Sequence, residues 1–577
     1  MRPSNSCARS IVVLALATLL GLSACSRGDA AGDTEAETAK AWAPEQLTSV
    51  NEIPATAIVA AMETRLAAAA PRTIDGEQWS HTKALYKAYG TKPLWLTPKG
   101  LHDTRTRALT DAILAVHSDA MRIDDYPIGL LASALAAVKG NRNPTAEQLA
   151  EADVMLTASY AALGEDLLTG QIKPKTVSQS WFVDPREENV DSALARGLRI
   201  DALDRSLATM RPQDTDYQGL RVELDRYRKL VLAGGWPRVP LTEPVKPGER
   251  ISPAVATALR ARLAAQGFPI APAAPSDTGR RPAAAPAATY DRSLAAAVAQ
   301  FQARSTIVVD SVLGGETLEA LNKPAQFRLA QIAANMERYR WLPRSLGSRY
   351  IFVNVPAFRL EAWDAGKIAL EMKVIVGQEY EDRATPVFSD SMEYVVFRPY
   401  WLVPSSIAEK ELFPKGSAYL AANNMEVYTA GGETRVRQRP GDDNALGRIK
   451  FMFPNDFAIY LHDTPNRELF KEDVRAFSHG CIRVERPDRL ANFVLGWEQG
   501  RIDEAMNRGP SDRTVKLPRK IPVYIAYLTT YMRGGQLYFG NDLYSRDDRL
   551  MDVVGPAAMP TPQAVQAVQA LRRIADR

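Results

Sequence analysis

At 577 residues, 46% hydrophobic and 24% charged, the chain is too long for one ordinary core and has the composition of a folded, multidomain protein. A formal charge of +4 over that length gives no support for nucleic-acid binding. Cys7, Cys25 and Cys481 are the only cysteines; they supply neither a disulfide framework nor metal-ligand spacing.

Arg2 and Arg9 precede an apolar run, Ile11 to Leu22, that is too short to span a bilayer as a helix. Leu22-Ser23-Ala24-Cys25 follows and resembles a bacterial lipobox. The resemblance implies a signal peptide over 1–24, lipidation of Cys25, and a periplasmic protein held by its N-terminal lipid. Ser26, where an inner-membrane retention signal has aspartate, favours the outer membrane of a Gram-negative cell. Residues 25–48 are small, polar and acidic, as expected of a flexible tether.

From 49 to 235 the period is helical, with Ile58, Met62 and Leu66, then Leu109, Ile113 and Val116, at helical spacing. This predicts a helical scaffold domain. His81, His102 and His117 fall here without ligand spacing and read as structural or surface histidines. Between 236 and 325 three helices are expected around Val255–Leu263, Leu294–Gln302 and Thr317–Asn322, with a Pro/Ala-rich loop at 269–289. The pattern resembles a three-helix peptidoglycan-binding module. It departs from that module at Ser311, where a glycine is usual, and in the length of the loop. A connecting helix is expected over 326–345.

From 346 the period becomes that of strands: 350–355, 370–376, 394–397, 457–461 and 523–527. Residues 404–428 interrupt them with a helical, lid-like insertion, and 536–577 read as a C-terminal tail with a short amphipathic or frayed helix from 561. The fold class is multidomain α + β, with the helical part first and a β-rich domain of mixed strands at 346–535.

Phe477-Ser478-His479-Gly480-Cys481-Ile482-Arg483 holds the one cysteine left as a free thiol if the N-terminus is processed. His462 lies 19 positions upstream at the end of a predicted strand. A thiol needs a base or a positive field to become a nucleophile at neutral pH, and strand end plus turn is a way to bring the two together. Gly480 allows a turn with φ > 0, and the N–H groups around it suit an oxyanion hole. Arg483 adds positive charge. The chemistry alone reads as a cysteine acyltransferase or hydrolase acting outside the cytoplasm.

Ser478-His479-Gly480-Cys481-Ile482-Arg483 with His462-Asp463-Thr464-Pro465 resembles the active-site signature of the L,D-transpeptidases, the YkuD-type catalytic domain. The likeness extends through Arg383–Phe388, Pro399-Tyr400-Trp401 and Asn444–Pro454. It implies a mixed-strand sandwich with the insertion as a capping subdomain. It makes Cys481 the nucleophile, His462 the proton acceptor and donor, and the Asp463 carbonyl its orienter. His479, Ser478, Arg483, Tyr400 and Trp401 would meet substrate. The implied reaction attacks peptidoglycan tetrapeptide stems, expels D-Ala and forms a 3→3 diaminopimelate cross-link through a thioester, without metal or cofactor. Such enzymes are typically acylated by carbapenems. The same nucleophile with water as acceptor gives an L,D-carboxypeptidase or hydrolase; with a lysine it gives a lipoprotein-to-wall anchoring enzyme. A non-catalytic wall-binding scaffold is the rival from another class.

Overall fold

The computed structural model describes residues 41–183, 189–270, 288–379, 383–555, 559 and 561–575. The signal peptide, Cys25 and most of the tether lie outside the described residues, as does 271–287 of the Pro/Ala-rich loop.

The scaffold is helical because its apolar residues fall at helical spacing and its helices are capped. Asp75 and Gln78 form a capping box at the head of helix Gly76–Ala88, and Thr145 and Gln148 form another on helix Ala146–Thr169. Ala146–Thr169 is buried almost all round and is the pillar of this domain. Residues Thr157 to Tyr160 are wholly buried in it. Asp153 on the same helix accepts from Tyr86 OH at 2.6 Å and from the Leu94 and Trp95 N–H groups, so the aromatic turn at 86–95 is pinned to the pillar.

Helices Pro253–Ala265, Arg292–Arg304 and Gly315–Asn322 surround a separate core that includes Leu259, Leu263, Leu294, Phe301 and Leu321. Ser311 takes φ +60, the conformation for which glycine is usual. The turn is retained because Gln302 Oε1 accepts the Ser311 N–H and Asp310 Oδ1 accepts the Val312 N–H, both at 2.8 Å.

Helix Ala325–Trp341 joins these parts to the β domain. Its apolar pattern predicts one buried face, yet Arg328, Glu337, Arg338 and Arg340 are buried as well. Arg338 pairs with Asp547 at 2.5 Å, Arg340 pairs with Glu337 and donates to the Asp119 carbonyl at 2.7 Å, Glu337 Oε1 accepts the Ile172 N–H at 2.7 Å, and Arg328 donates to Gln331 on the same helix. Removing one partner of the Arg338–Asp547 pair would strand a buried charge, at about 3–5 kcal/mol.

The β domain is built on eight strands: β1 (Arg349–Asn354), β2 (Arg359–Asp364), β3 (Lys367–Gly377), β4 (Val387–Phe397), β5 (Ile449–Met452), β6 (Leu461–His462), β7 (Ile482–Val484) and β8 (Arg513–Ala526). Their order is β5-β6-β7-β3-β2-β1-β8-β4, and β4 also pairs with β5. The mixed sheet therefore closes on itself, giving the β-rich domain of mixed strands that was expected. Ile351, Val353, Val374, Val376, Val395, Phe451, Ile482, Val523 and Ile525 fill it. Each contributes about 1.5–3 kcal/mol by burial.

Three sequence expectations need correction. Residues 457–460 do not continue a strand. Asn455 Oδ1 accepts the N–H groups of Phe457 and Ile459, its Nδ2 donates to the Ile459 carbonyl at 2.8 Å, and Ala458 turns to φ +53. The side chain takes over groups that a ladder would have used. The lid does not end at 428: it continues as a hairpin, Met425–Ala430 with Glu433–Gln438, turned by Gly431 and Gly432 and joined to Trp401–Leu402. Residues 536–577 are not a tail. Gln536–Phe539 pairs with Thr530–Arg533, Asp547 is buried against Arg338, and helix Pro562–Ala575 inserts Leu571 into the scaffold core.

Candidate active site

Strands β6 and β7 run parallel, with Leu461 opposite Ile482 and His462 opposite Arg483. The residue before each strand, Tyr460 and Cys481, continues that register, and the Ile482 N–H donates to the Tyr460 carbonyl at 3.1 Å. Side chains alternate along a strand, so Tyr460, His462, Cys481 and Arg483 share one face. Lys450 of β5 pairs with His462 from the other side. A thiol, an imidazole, a phenol and two cations thus meet where three strands end or begin.

The His462 Nδ1–H donates to the Asp463 carbonyl at 2.5 Å, which leaves Nε2 as the basic nitrogen. The Asp463 carboxylate faces elsewhere: Oδ2 accepts the Arg448 N–H at 2.9 Å and Oδ1 accepts from Arg467 at 3.0 Å. Gly447 must be glycine for that contact, because a Cβ there would stand 2.4 Å from the carboxylate. Burial, then the Arg483 and Lys450 charges, hold the imidazole down at about 3. Burial pushes the Cys481 thiol up to about 11, although Tyr460 and Arg483 oppose it. The resting pair is therefore neutral thiol and neutral imidazole at pH 7, not a preformed ion pair. The half-buried thiol donates to the Ala458 carbonyl at 3.7 Å.

The cysteine turn is braced from within and behind. Ser478 is buried; its hydroxyl donates to the Cys481 carbonyl at 2.5 Å and accepts the Gly480 N–H at 3.2 Å. Ser478 is a brace of the turn rather than a substrate contact. Gly480 holds φ +112, as a turn residue should, but its N–H is already engaged. Among the described residues the Cys481 N–H has no acceptor, which leaves it as the oxyanion donor in this turn. Thr385, fully buried, donates to the Gly480 carbonyl at 2.9 Å and accepts the Gly377 N–H at 3.0 Å. Tyr544 OH donates to the Gly377 carbonyl at 2.7 Å. A Cβ on Gly377 would collide with the Arg383 carbonyl at 1.9 Å, so β3 and the cysteine turn meet backbone to backbone.

His479 turns away from the thiol. Its Nε2–H donates to Glu411 Oε1 at 2.8 Å, and Arg383 donates to the same oxygen at 2.8 Å. Glu411 belongs to the helical part of the lid, so these contacts latch the lid to the cysteine turn. Tyr400 and Trp401 are not brought to the thiol. Arg437 stacks over the Tyr400 ring at 4.8 Å, and Trp401 packs on the lid's own core with Val403, Leu412 and Val436. Arg483 is at the site; it donates to the Phe477 carbonyl at 3.4 Å, and its buried Nε has no hydrogen-bond partner. Sequence reasoning missed Lys450, Tyr460 and Thr385. Alternation around His462 could have found Tyr460; Thr385 and Lys450 lay inside the stretches Arg383–Phe388 and Asn444–Pro454 that carried the likeness, but nothing local marked their roles.

A cavity of about 790 Å³ opens between scaffold and ring, lined by Glu77, Glu165, Lys173, Phe182, Phe388 and Phe457 among others. Its lining also includes Asn455 and Asp456, from the loop before Ala458. Trp181–Phe182 of the scaffold pairs in parallel with the start of β4 and forms part of its wall.

A ring of mixed strands thus carries Cys481 and a carbonyl-oriented histidine on one face. Residues 348–525 match the family model of the L,D-transpeptidase catalytic domain, YkuD, and residues 80–224 match that of the Scaffold domain. The chain carries a YkuD-type L,D-transpeptidase catalytic domain preceded by a helical scaffold. A Haemophilus influenzae protein provisionally named an L,D-transpeptidase is 34% identical over 245 residues, which cover 38% of this chain. The chain spans about half the length, 48%, of that curated relative. A solved L,D-transpeptidase fragment from Xylanimonas cellulosilytica is 15% identical, and the match covers 50% of this chain and 99% of that one. Its TM-score of 0.15 carries no structural argument.

Proposed function

We propose that this chain is a peptidoglycan L,D-transpeptidase that forms 3→3 cross-links through a thioester on Cys481. The observation that carries the reading is the shared strand face of Cys481 and His462, with Nδ1 of the imidazole tied to the Asp463 carbonyl. His462 Nε2 takes the thiol proton as sulfur attacks the carbonyl of the diaminopimelate L-centre. The Cys481 N–H stabilises the resulting oxyanion. The proton passes to the departing D-Ala amine, and the thioester remains. The side-chain amine of a second diaminopimelate then attacks, His462 collects its proton, and that proton returns to the leaving sulfur. Arg483 and Lys450 supply positive charge to an anionic stem peptide. Cys25 is the proposed lipid anchor, with the enzyme held in the periplasm at the outer membrane; labelled palmitate that is lost with Cys25→Ala tests it.

Muropeptides from cells expressing the wild type or Cys481→Ala test the chemistry. Mass spectrometry should show 3→3 dimers rising only with the intact thiol. Conversion of tetrapeptide to tripeptide stems without dimers would assign water as the acceptor. A carbapenem should add its mass to the wild type and not to the variant.

A further inference from the structure

Three side chains far from Cys481 converge on one point at the rim of the large cavity. Glu77 and His81 stand four residues apart on helix Gly76–Ala88, so they share a face. Glu165 projects toward them from the pillar helix Ala146–Thr169. One ligand atom from each lies within 4.8 Å of the other two. The arrangement of His81 decides its chemistry. Its Nδ1–H donates to Asp191 Oδ1 at 2.7 Å, which leaves Nε2 with a lone pair. That lone pair faces Glu165 Oε2 at 3.9 Å.

Two electron-rich atoms facing each other need something positive between them. Both are buried, and neither has a hydrogen-bond partner. Glu165 is only 9% exposed. A protonated His81 would meet Glu165 as an ion pair at 3.9 Å; a cation bound between the two atoms would satisfy both lone pairs. Ligands of a tetrahedral zinc stand about 3.3–3.6 Å apart for bonds of about 2.0–2.2 Å, so His81 and Glu165 need to close by about 0.3–0.6 Å. Asp191 completes the carboxylate–histidine pairing that orients and strengthens imidazole ligands. Glu77 is exposed and held by Lys173 at 2.5 Å, so its carboxylate would be shared between Lys173 and the ion.

We propose that Glu77, His81 and Glu165 form a binding site for a divalent cation, zinc by its nitrogen and oxygen donors, with Asp191 orienting His81. The ion clamps helix Gly76–Ala88 to the pillar helix at the mouth of the cavity. Glu77 and Glu165 line that cavity, so the remaining coordination position opens toward it. The site is independent of the acyl-transfer reaction.

The full chain, stripped with a chelator and supplied with zinc chloride, tests this by elemental analysis after desalting and by titration calorimetry. The wild type should retain about one zinc per chain. Glu165→Gln and His81→Gln should abolish stoichiometric retention, and Asp191→Asn should weaken affinity by about 10–100-fold while keeping the stoichiometry. Circular dichroism checks that each variant is folded. X-ray absorption of the loaded wild type should show nitrogen and oxygen neighbours only. Folded wild type that retains no zinc overturns the proposal. So does stoichiometric retention unchanged by either Glu165→Gln or His81→Gln, or sulfur in the zinc shell, which would assign the metal to Cys481.

Discussion

Two histidines in this chain are each held through Nδ1, and the partners differ. His462 donates to a neutral backbone carbonyl, while His81 donates to the carboxylate of Asp191. A carbonyl fixes the tautomer and adds no charge, and burial, with Arg483 and Lys450, then keeps the ring neutral. Such a ring suits taking a proton and returning it within a turnover. A carboxylate raises the electron density on the far nitrogen and suits a ring that holds a cation throughout. The same residue type thus does transient work in the β ring and static work in the scaffold.

Removing His462 is the severest way to test that contrast. His462→Ala should lower acyl transfer by about 10⁴-fold, as loss of a catalytic base does elsewhere. Steady-state rates on a tetrapeptide substrate check it, and zinc retention by the same variant should not change. If the variant keeps more than a tenth of the rate, His462 is not the base.

The neutral resting pair predicts a pH response. The thiol is raised to about 11, so its thiolate fraction grows roughly tenfold per pH unit through neutrality. Iodoacetamide labelling of Cys481 in the free protein should therefore quicken about 100-fold from pH 7 to 9, with no plateau. A plateau above pH 6 would reveal a thiolate–imidazolium pair and erase the proposed difference between the two histidines.

Thr385→Val removes the hydroxyl that joins Gly377 to Gly480 and leaves two buried backbone groups unmet. The cost should be about 1–3 kcal/mol. The melting temperature should fall, and kcat should drop about tenfold with little change in KM, because the turn and not the cleft is loosened. The smallest effect belongs to the lid. Glu411→Gln weakens its ties to His479 and Arg383, both partly exposed, and should change KM by no more than about threefold. Limited proteolysis should nevertheless cut the lid sooner than in the wild type.

How far the sequence disclosed these features follows from how far apart their parts lie. Cys481, His462 and Asp463 were legible because a short motif and one strand end carry them. β3 and β8 announced themselves by alternation. Ser478 looked like a substrate contact because motif residues are easily read as facing outward, whereas its hydroxyl closes the turn that contains it. Residues 457–460 have a strand's composition, and only Asn455 diverts them. The zinc site hid in plain view: Glu77 and His81 sit at helical spacing, but Glu165 and Asp191 arrive from other helices and supply no pattern.

The helix Pro562–Ala575 bears on the order in which the protein can be made. Leu571 is fully buried among side chains of the scaffold, and Thr561 lies beside Asp124, 437 positions earlier. The scaffold core is therefore completed by a segment that lies beyond the catalytic ring in sequence. Without Leu571 it exposes apolar surface worth about 1.5–3 kcal/mol. Translation passes through the whole ring before the scaffold gains that side chain, so the direction of synthesis couples the finishing of one domain to the making of the other.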